Sequence, residues 1–191
     1  LIIDFSCHGA THALLDYALS RQLPVVLCTT GQTEAEKAEI FAAAEKIPVF
    51  YSGNMSLGVA LLVKLAKGTT RAFPDADIEI VETHHHRKLD APSGTALMLA
   101  DAIQSVRPQS TYHLGRAGSG QRTPEEIGIH AIRRGNVVGI HEILIDTGTE
   151  TITLKHEAHD RALFAQGALR AAEYLVGKPA GLYNMQTMLG G

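Results

Sequence analysis

Tryptophan is absent from the 191 residues, and aromatic residues together make up only 5%. The core must therefore be filled by aliphatic side chains. Cysteine is scarce: Cys7 and Cys28 are too few for a disulfide framework and read as reduced, structural thiols. Positive charge is not in excess, with 17 Lys and Arg against 20 Asp and Glu and a net charge of −3. No basic stripe is visible, which argues against a nucleic-acid partner. An anionic ligand would have to be held by locally arranged cations and backbone donors. No apolar run approaches membrane-spanning length, and no signal peptide is legible. The expectation is a cytoplasmic protein with no membrane partner. H-E-x-x-H is missing and no paired carboxylates sit at ligand spacing, so no metal site is expected and a metal-dependent hydrolase is disfavoured. Gly115-Arg116-Ala117-Gly118-Ser119-Gly120 has the wrong glycine order for a phosphate loop and follows no strand, so it reads as a flexible loop. Repeats and low-complexity segments are missing too.

What is present is an alternation of short apolar runs and helical runs. Strand-like segments at Leu1–Phe5, Pro24–Cys28 and Pro48–Tyr51 alternate with helices expected over Thr11–Arg21 and Glu34–Lys46. Thr33-Glu34-Ala35-Glu36 reads as a capping box with Thr33 as N-cap. Strands separated by helices imply a parallel sheet covered by helices, the back half of a doubly wound dinucleotide-binding fold. The chain opens within a strand pattern and has no initiator Met, which predicts that a segment precedes it.

After residue 55 the pattern changes. A helix is expected from Ser56 to about Thr70, a strand over Asp77–Val81 and a helix over Thr95–Ser105. Arg107–Glu126 reads as a mobile loop rich in Gly, Pro, Ser and Arg. Strand candidates follow at Ile127–Arg133, Val137–Ile145 and Thr151–His156, with Gly135-Asn136 and Gly148-Thr149 at the turns. Short turns between successive strands imply an antiparallel or mixed sheet. A last helix, Arg161–Val176, is expected to pack back on the first domain.

The most informative stretch is Glu82-Thr83-His84-His85-His86-Arg87-Lys88-Leu89-Asp90-Ala91-Pro92-Ser93-Gly94-Thr95-Ala96. It places histidines and a lysine just before a helix start. Free N–H groups there attract anions, the lysine adds a mobile cation, and histidine exchanges protons near neutrality. Adjacent histidines on a strand point to alternate faces and are poorly placed to share one metal. Read alone, they suit either acid–base chemistry or solvation at a strand end. Gly94 and Thr95 suit an anion site, an ordinary N-cap formed by Ser93 or Thr95, or both together. Asp90 and Pro92 read as loop-shaping residues.

The same stretch resembles the E-x-H-H-x-x-K-x-D-A-P-S-G-T-A signature of the dihydrodipicolinate reductase family, and the resemblance runs from Leu1 to the C-terminus. It implies an α/β protein: a partial Rossmann-like doubly wound parallel sheet plus an α+β substrate and oligomerisation domain with a mixed sheet. Residues 1–55 and 162–191 would form the dinucleotide-binding domain, and residues 56–161 the substrate-binding and oligomerisation domain. The family's glycine-rich phosphate loop would fall before Leu1. By position, His84 matches the proton donor or acceptor and Lys88 the second catalytic, substrate-holding residue. His85, Gly94 and Thr95 match substrate contacts, while His86 and Arg87 fall at variable or supporting positions. Cys28-Thr29-Thr30-Gly31 resembles the family's G-T-T-G contact to the nicotinamide end of the cofactor, with Cys28 in place of the first glycine. Ser52-Gly53-Asn54-Met55-Ser56 resembles its A-x-N-F/M-S element, and Arg161 matches S-S-R near the cofactor, although His159-Asp160 departs from the serines. Standing alone, Thr29–Gly31 would be a plain turn and Ser52–Ser56 a helix cap.

The implied activity is reduction of dihydrodipicolinate, or its hydroxylated precursor, to tetrahydrodipicolinate with NADH or NADPH in lysine (diaminopimelate) biosynthesis. The implied partners are a cyclic dicarboxylate substrate and the other subunits of a homotetramer. The alternative is a dicarboxylate-binding fragment without catalysis, since the phosphate loop is not in the sequence.

Overall fold

The computed structural model describes residues 1–190. The chain divides into two units. One comprises Leu1–Leu57 with the segment from Ala162 onward, and the other comprises Gly58–Arg161.

The first unit is built on a four-stranded parallel sheet. Its strands are β1 (Ile2–Asp4), β2 (Val25–Leu27), β3 (Pro48–Tyr51) and β9 (Gly181–Tyr183), in the order β1-β2-β3-β9. Val25, Val26 and Leu27 are all buried, as expected for a central parallel strand covered on both faces. The helix α1 (Thr11–Arg21) follows a 3-10 turn at His8–Ala10. The next helix, α2 (Glu34–Ala44), opens on the Thr33–Glu36 capping box, which satisfies donors at the helix start reciprocally. Leu15 and Ala18 of α1 pack with Ile40, Ala43 and Ala44 of α2 against Val25, Leu27 and Val49. The helix α5 (Ala162–Leu175) returns to β2 and β3. It sits close because Gly167 has no side chain: a Cβ there would lie 1.7 Å from the Met55 carbonyl oxygen. A short α6 (Met185–Met188) follows β9.

The second unit carries a mixed five-stranded sheet. Its strands are β4 (Asp77–His84), β5 (Thr111–Leu114), β6 (Glu126–Arg133), β7 (Gly139–Asp146) and β8 (Thr151–Ala158), ordered β5-β6-β4-β7-β8. Strands β5, β6 and β4 run parallel, and β7 and β8 are antiparallel to their neighbours. Alternate isoleucines on β4 (Ile78, Ile80), β6 (Ile127, Ile129) and β7 (Ile143, Ile145) face one core. The helix α3 (Leu57–Ala72) packs Leu62, Val63 and Ala66 into it, and α4 (Gly94–Gln104) adds Ala96, Leu99, Ala100 and Ile103, both at helical spacing. Each such isoleucine contributes roughly 1.5–3 kcal/mol by leaving water. The absence of tryptophan is met by this aliphatic packing.

Some boundaries differ from expectation. Strand β4 runs through His84 rather than stopping at Val81, because its last residues pair with β6 as far as His84↔Arg133 and with β7 as far as Thr83↔Ile140. The polar Glu82-Thr83-His84 end hides this continuation in the sequence. Strand β5 lies inside the expected loop, and β9 and α6 were not anticipated; all three are short. The first turn of α4 begins at Gly94, with Ser93 as N-cap.

Candidate active site

In the second unit the site is assembled where β4 ends. Glu82 and His84 lie two residues apart on the strand and therefore share a face. Glu82 is fully buried, and its carboxylate accepts from four donors. These are His84 Nδ1 at 2.5 Å, Arg133 Nη1 and Nη2 at 2.8 Å each, and the Ser93 backbone N–H at 3.0 Å. Burial pushes this carboxyl upward, but the bonds from His84, Arg133 and Ser93 outweigh it and hold the group at about 2.

His84 is buried, and its Nε2 lies over Gly139, where a Cβ would come within 3.1 Å. A second imidazole, His141, packs edge-on to His84 with ring centroids 5.1 Å apart. His141 Nε2 lies 3.2 Å from Ser93 Oγ, and its buried Nδ1 has no partner among the described residues. Burial, reinforced by the charge of His84, drives His141 down to about 3, so it is neutral at physiological pH.

The segment after β4 leaves the sheet and is tied to the β6–β7 turn. The His86 backbone N–H and ring Nδ1 both reach the Gly135 carbonyl, and Arg87 donates to Asn136. Gly135 takes φ +48°, which suits a glycine at that turn. Arg133 Nη2 also donates to the Asp90 carbonyl at 2.6 Å. His86 and Arg87 are thus engaged in holding the segment.

Lys88 Nζ is 2.8 Å from the Asp90 carboxylate. This contact holds the Asp90 carboxyl below its ordinary value against burial, and the Gly94 backbone N–H acts in the same direction. An ammonium and a helix-start amide thus bear on one carboxylate. Gly94 has open space where a Cβ would stand. Ser93 Oγ accepts from the Ala96 N–H and caps α4, leaving Thr95 in the first turn. His85 is half-buried, and burial together with charge interactions with Arg87, His84, Lys88 and Arg161 lowers its basicity. His84, His85, Lys88, Gly94 and Thr95 therefore belong to one neighbourhood around the β4 end and the α4 start. Arg161 falls in this same unit, near enough to act on His85, rather than in the unit carrying the other residues matched to the cofactor.

In the first unit, the segments after β2 and β3 leave the carboxyl edge of the sheet, the usual ligand edge of open α/β folds. Cys28 to Gly31 follow β2. Thr29 is buried and donates to Asp4 at 2.7 Å, and Gln32 links the Thr29 carbonyl to Tyr51. Thr30 is exposed beside Gly31, whose φ of +88° and open surroundings leave the backbone approachable. The Cys28 thiol folds back toward the Val26 carbonyl at 4.0 Å, so it does not cover that backbone. After β3, Ser52 Oγ donates to the Asn54 carbonyl, Asn54 Oδ1 accepts from the Ser56 N–H, and Met55 is buried. Gly53 has open space around it. Asp4 is engaged by Ser6 and Thr29. Backbone amides and neutral side chains suit an uncharged carboxamide-bearing ring, so these residues fit a nicotinamide.

Sequence reasoning missed Arg133, His141 and Gly139, and it gave Glu82 no role. They lie on β6, β7 and β4, and only the pairing of those strands brings them together. The leading Glu of the signature was the one available sign.

Residues 1–55 match the family described as "Dihydrodipicolinate reductase, N-terminus", and residues 58–189 match "Dihydrodipicolinate reductase, C-terminus". The 4-hydroxy-tetrahydrodipicolinate reductase of Caldanaerobacter subterraneus subsp. tengcongensis is 47% identical over 191 residues, spanning 99% of this chain and 76% of that protein. The Clostridium tetani protein of the same name is 44% identical, over 99% of this chain and 75% of its own length. A solved structure, dipicolinate-bound dihydrodipicolinate reductase from Paenisporosarcina sp. TG-14, superposes with a TM-score of 0.79 at 27% identity, covering 96% of this chain and 71% of that one. Both units match in sequence, and the paired sheets match in structure: the chain belongs to the dihydrodipicolinate reductase family.

Proposed function

We propose that the chain reduces 4-hydroxy-tetrahydrodipicolinate, or dihydrodipicolinate, to tetrahydrodipicolinate in diaminopimelate and lysine biosynthesis. The cofactor is NADH or NADPH. The observation that carries the substrate reading is the convergence of the Lys88 ammonium and the Gly94 N–H on one carboxylate, that of Asp90. The same donors suit a carboxylate of a cyclic diacid, with Thr95 and His85 completing the grip. The ligand named for the Paenisporosarcina relative is dipicolinate, a compound of this class.

Residues 1–55 and 162–191 act as the dinucleotide-binding domain, with Cys28, Thr29, Thr30 and Ser52–Met55 meeting the nicotinamide end and Arg161 lying near the cofactor. Residues 56–161 bind substrate. When bound, the nicotinamide would supply a hydride to one ring carbon of dihydrodipicolinate, which the 4-hydroxy substrate reaches by losing water. His84, protonated on both ring nitrogens, delivers its Nε2 proton to the neighbouring carbon and is left as the neutral ring that keeps the Nδ1 proton facing Glu82. Lys88 holds a carboxylate and shares in the proton transfer. General acid help of this kind is worth about 10²–10⁴-fold in rate. The protein works in the cytoplasm as a homotetramer joined through the sheets of the substrate domains; sedimentation equilibrium checks the assembly.

The test is steady-state kinetics paired with titration of 2,6-pyridinedicarboxylate. Lys88→Ala should weaken binding and slow turnover together, whereas His84→Ala should chiefly slow turnover. Unchanged turnover in His84→Ala removes the imidazole from the mechanism. Pyridinedicarboxylate binding with no measurable NADH or NADPH oxidation would favour a binding protein instead.

A further inference from the structure

We infer that Glu82 is a positioning residue that fixes the tautomer and aim of His84, and that Arg133 is its counter-charge and ties it to the segment bearing Lys88. The inference rests on the reductase reading above and adds to it two residues whose hydrogen bonds go to other protein groups.

The argument begins with hydrogen-bond capacity. An ionised carboxylate only accepts. Glu82 Oε2 lies 2.5 Å from His84 Nδ1, so Nδ1 carries the proton of that bond. The imidazole can then exchange a proton only at Nε2. Glu82 stays ionised because the Arg133 fork and the Ser93 N–H saturate its remaining lone pairs, which agrees with its low proton affinity. A neutral acid in that place could donate to Nδ1 instead and leave the proton on Nε2 of the uncharged ring.

The surroundings leave few other settings for the ring. His141 meets its edge at 5.1 Å, and Gly139 leaves room for Nε2 with little to spare. Backbone pairing holds both ends of the ion pair: Glu82 lies on β4 opposite Ala131, and His84 lies opposite Arg133. Arg133 Nη2 then spans to the Asp90 carbonyl, two residues beyond Lys88. One guanidinium thereby links the carboxylate that orients the imidazole to the loop that presents the ammonium. The Ser93 N–H extends the link to the start of α4, where Gly94 and Thr95 lie.

The test compares the wild-type chain with Glu82→Gln, Glu82→Asp and His84→Ala. It reads kcat, the affinity for 2,6-pyridinedicarboxylate, and the His84 ring-nitrogen resonances in protein labelled with 15N-histidine. Glu82→Gln should lower kcat by at least about tenfold, as expected when a catalytic imidazole is released into the wrong tautomer. Its affinity for pyridinedicarboxylate should stay within about threefold of wild type, because Lys88 and the α4 amides remain. The His84 Nδ1 signal should lose its protonated character. Glu82→Asp should restore that signal and part of kcat. Glu82→Gln leaves the Arg133 guanidinium without its buried partner, so if that variant fails to fold, Glu82→Gln with Arg133→Met carries the same readouts. A variant that keeps both the Nδ1–H tautomer and wild-type kcat, while His84→Ala loses turnover, overturns the inference and leaves the reductase reading intact. Full turnover in His84→Ala overturns that reading instead, and the ring-nitrogen signals still report whether Glu82 sets the tautomer.

Discussion

Acid should loosen the unit that carries His141, and the size of the effect follows from its burial. His141 is 4% exposed, and burial, aided by the charge of His84, depresses its basicity from the usual histidine value of 6.5 to about 3. An unfolded chain takes up a proton at this side chain below 6.5, while the folded chain declines it until about 3. Between those values the unfolded state binds more protons, so stability falls as pH falls. The contribution is fully present above 6.5 and is lost progressively on the way down. Between about pH 7.5 and about pH 5, this group alone should remove about 2 kcal/mol. Glu82 has the same sign, but its window lies lower, between its ordinary value of 4.5 and about 2, so it contributes little over this range. The variant His141→Gln keeps a polar group near Ser93 and removes the titration. Urea unfolding followed by the amide signals of β7 reports the unit concerned. The pH-induced loss should be about 2 kcal/mol smaller in His141→Gln than in wild type. Equal losses in the two proteins would refute the assignment of a neutral, buried imidazole.

Two further outcomes follow from the first unit. Burial, with the Asp4 charge adding to it, pushes the Cys28 thiol up to about 12, whereas Cys7 is exposed. Because the thiolate is the reactive form, Ellman's reagent at mildly alkaline pH should label one thiol per native chain and two after denaturation; two in the native chain would contradict the burial of Cys28. Gly167→Ala would place a Cβ 1.7 Å from a backbone oxygen of Met55, which no side-chain rotation relieves. A cost of about 1–3 kcal/mol is expected, visible as a lower midpoint in thermal unfolding, and an unchanged midpoint would place α5 farther from residue 55.

The long, strongly patterned elements were readable because local chemistry specifies them. Thr33 and Glu36 announce α2, and the spacing of Ala96, Leu99, Ala100 and Ile103 announces α4. Strands β5 and β9 were not readable: both are too short to show alternation, and β9 takes its partner, β3, from far along the chain. The residues gathered at the site were legible in one stretch, His84 to Thr95, through a motif that mixes imidazole, ammonium and a helix start. Their supports were not. Arg133 looked like the end of an amphipathic strand, and His141 like one more polar position on β7. Their roles depend on the register that sets His84 opposite Arg133 and Glu82 opposite His141.

The links from His86 to Gly135, Arg87 to Asn136 and Arg133 to Asp90 each cross more than forty positions of sequence. By Ala96 the whole recognisable signature has been written, yet the cross-strand ties from Arg133, Gly135 and Asn136 have not appeared. A nascent or truncated chain ending before β6 would display every letter of the motif and lack the ties that anchor it to the neighbouring strands. Competence arrives only when β6, β7 and the turn between them lie alongside β4, so here the closing of a sheet and the completion of a site are one event.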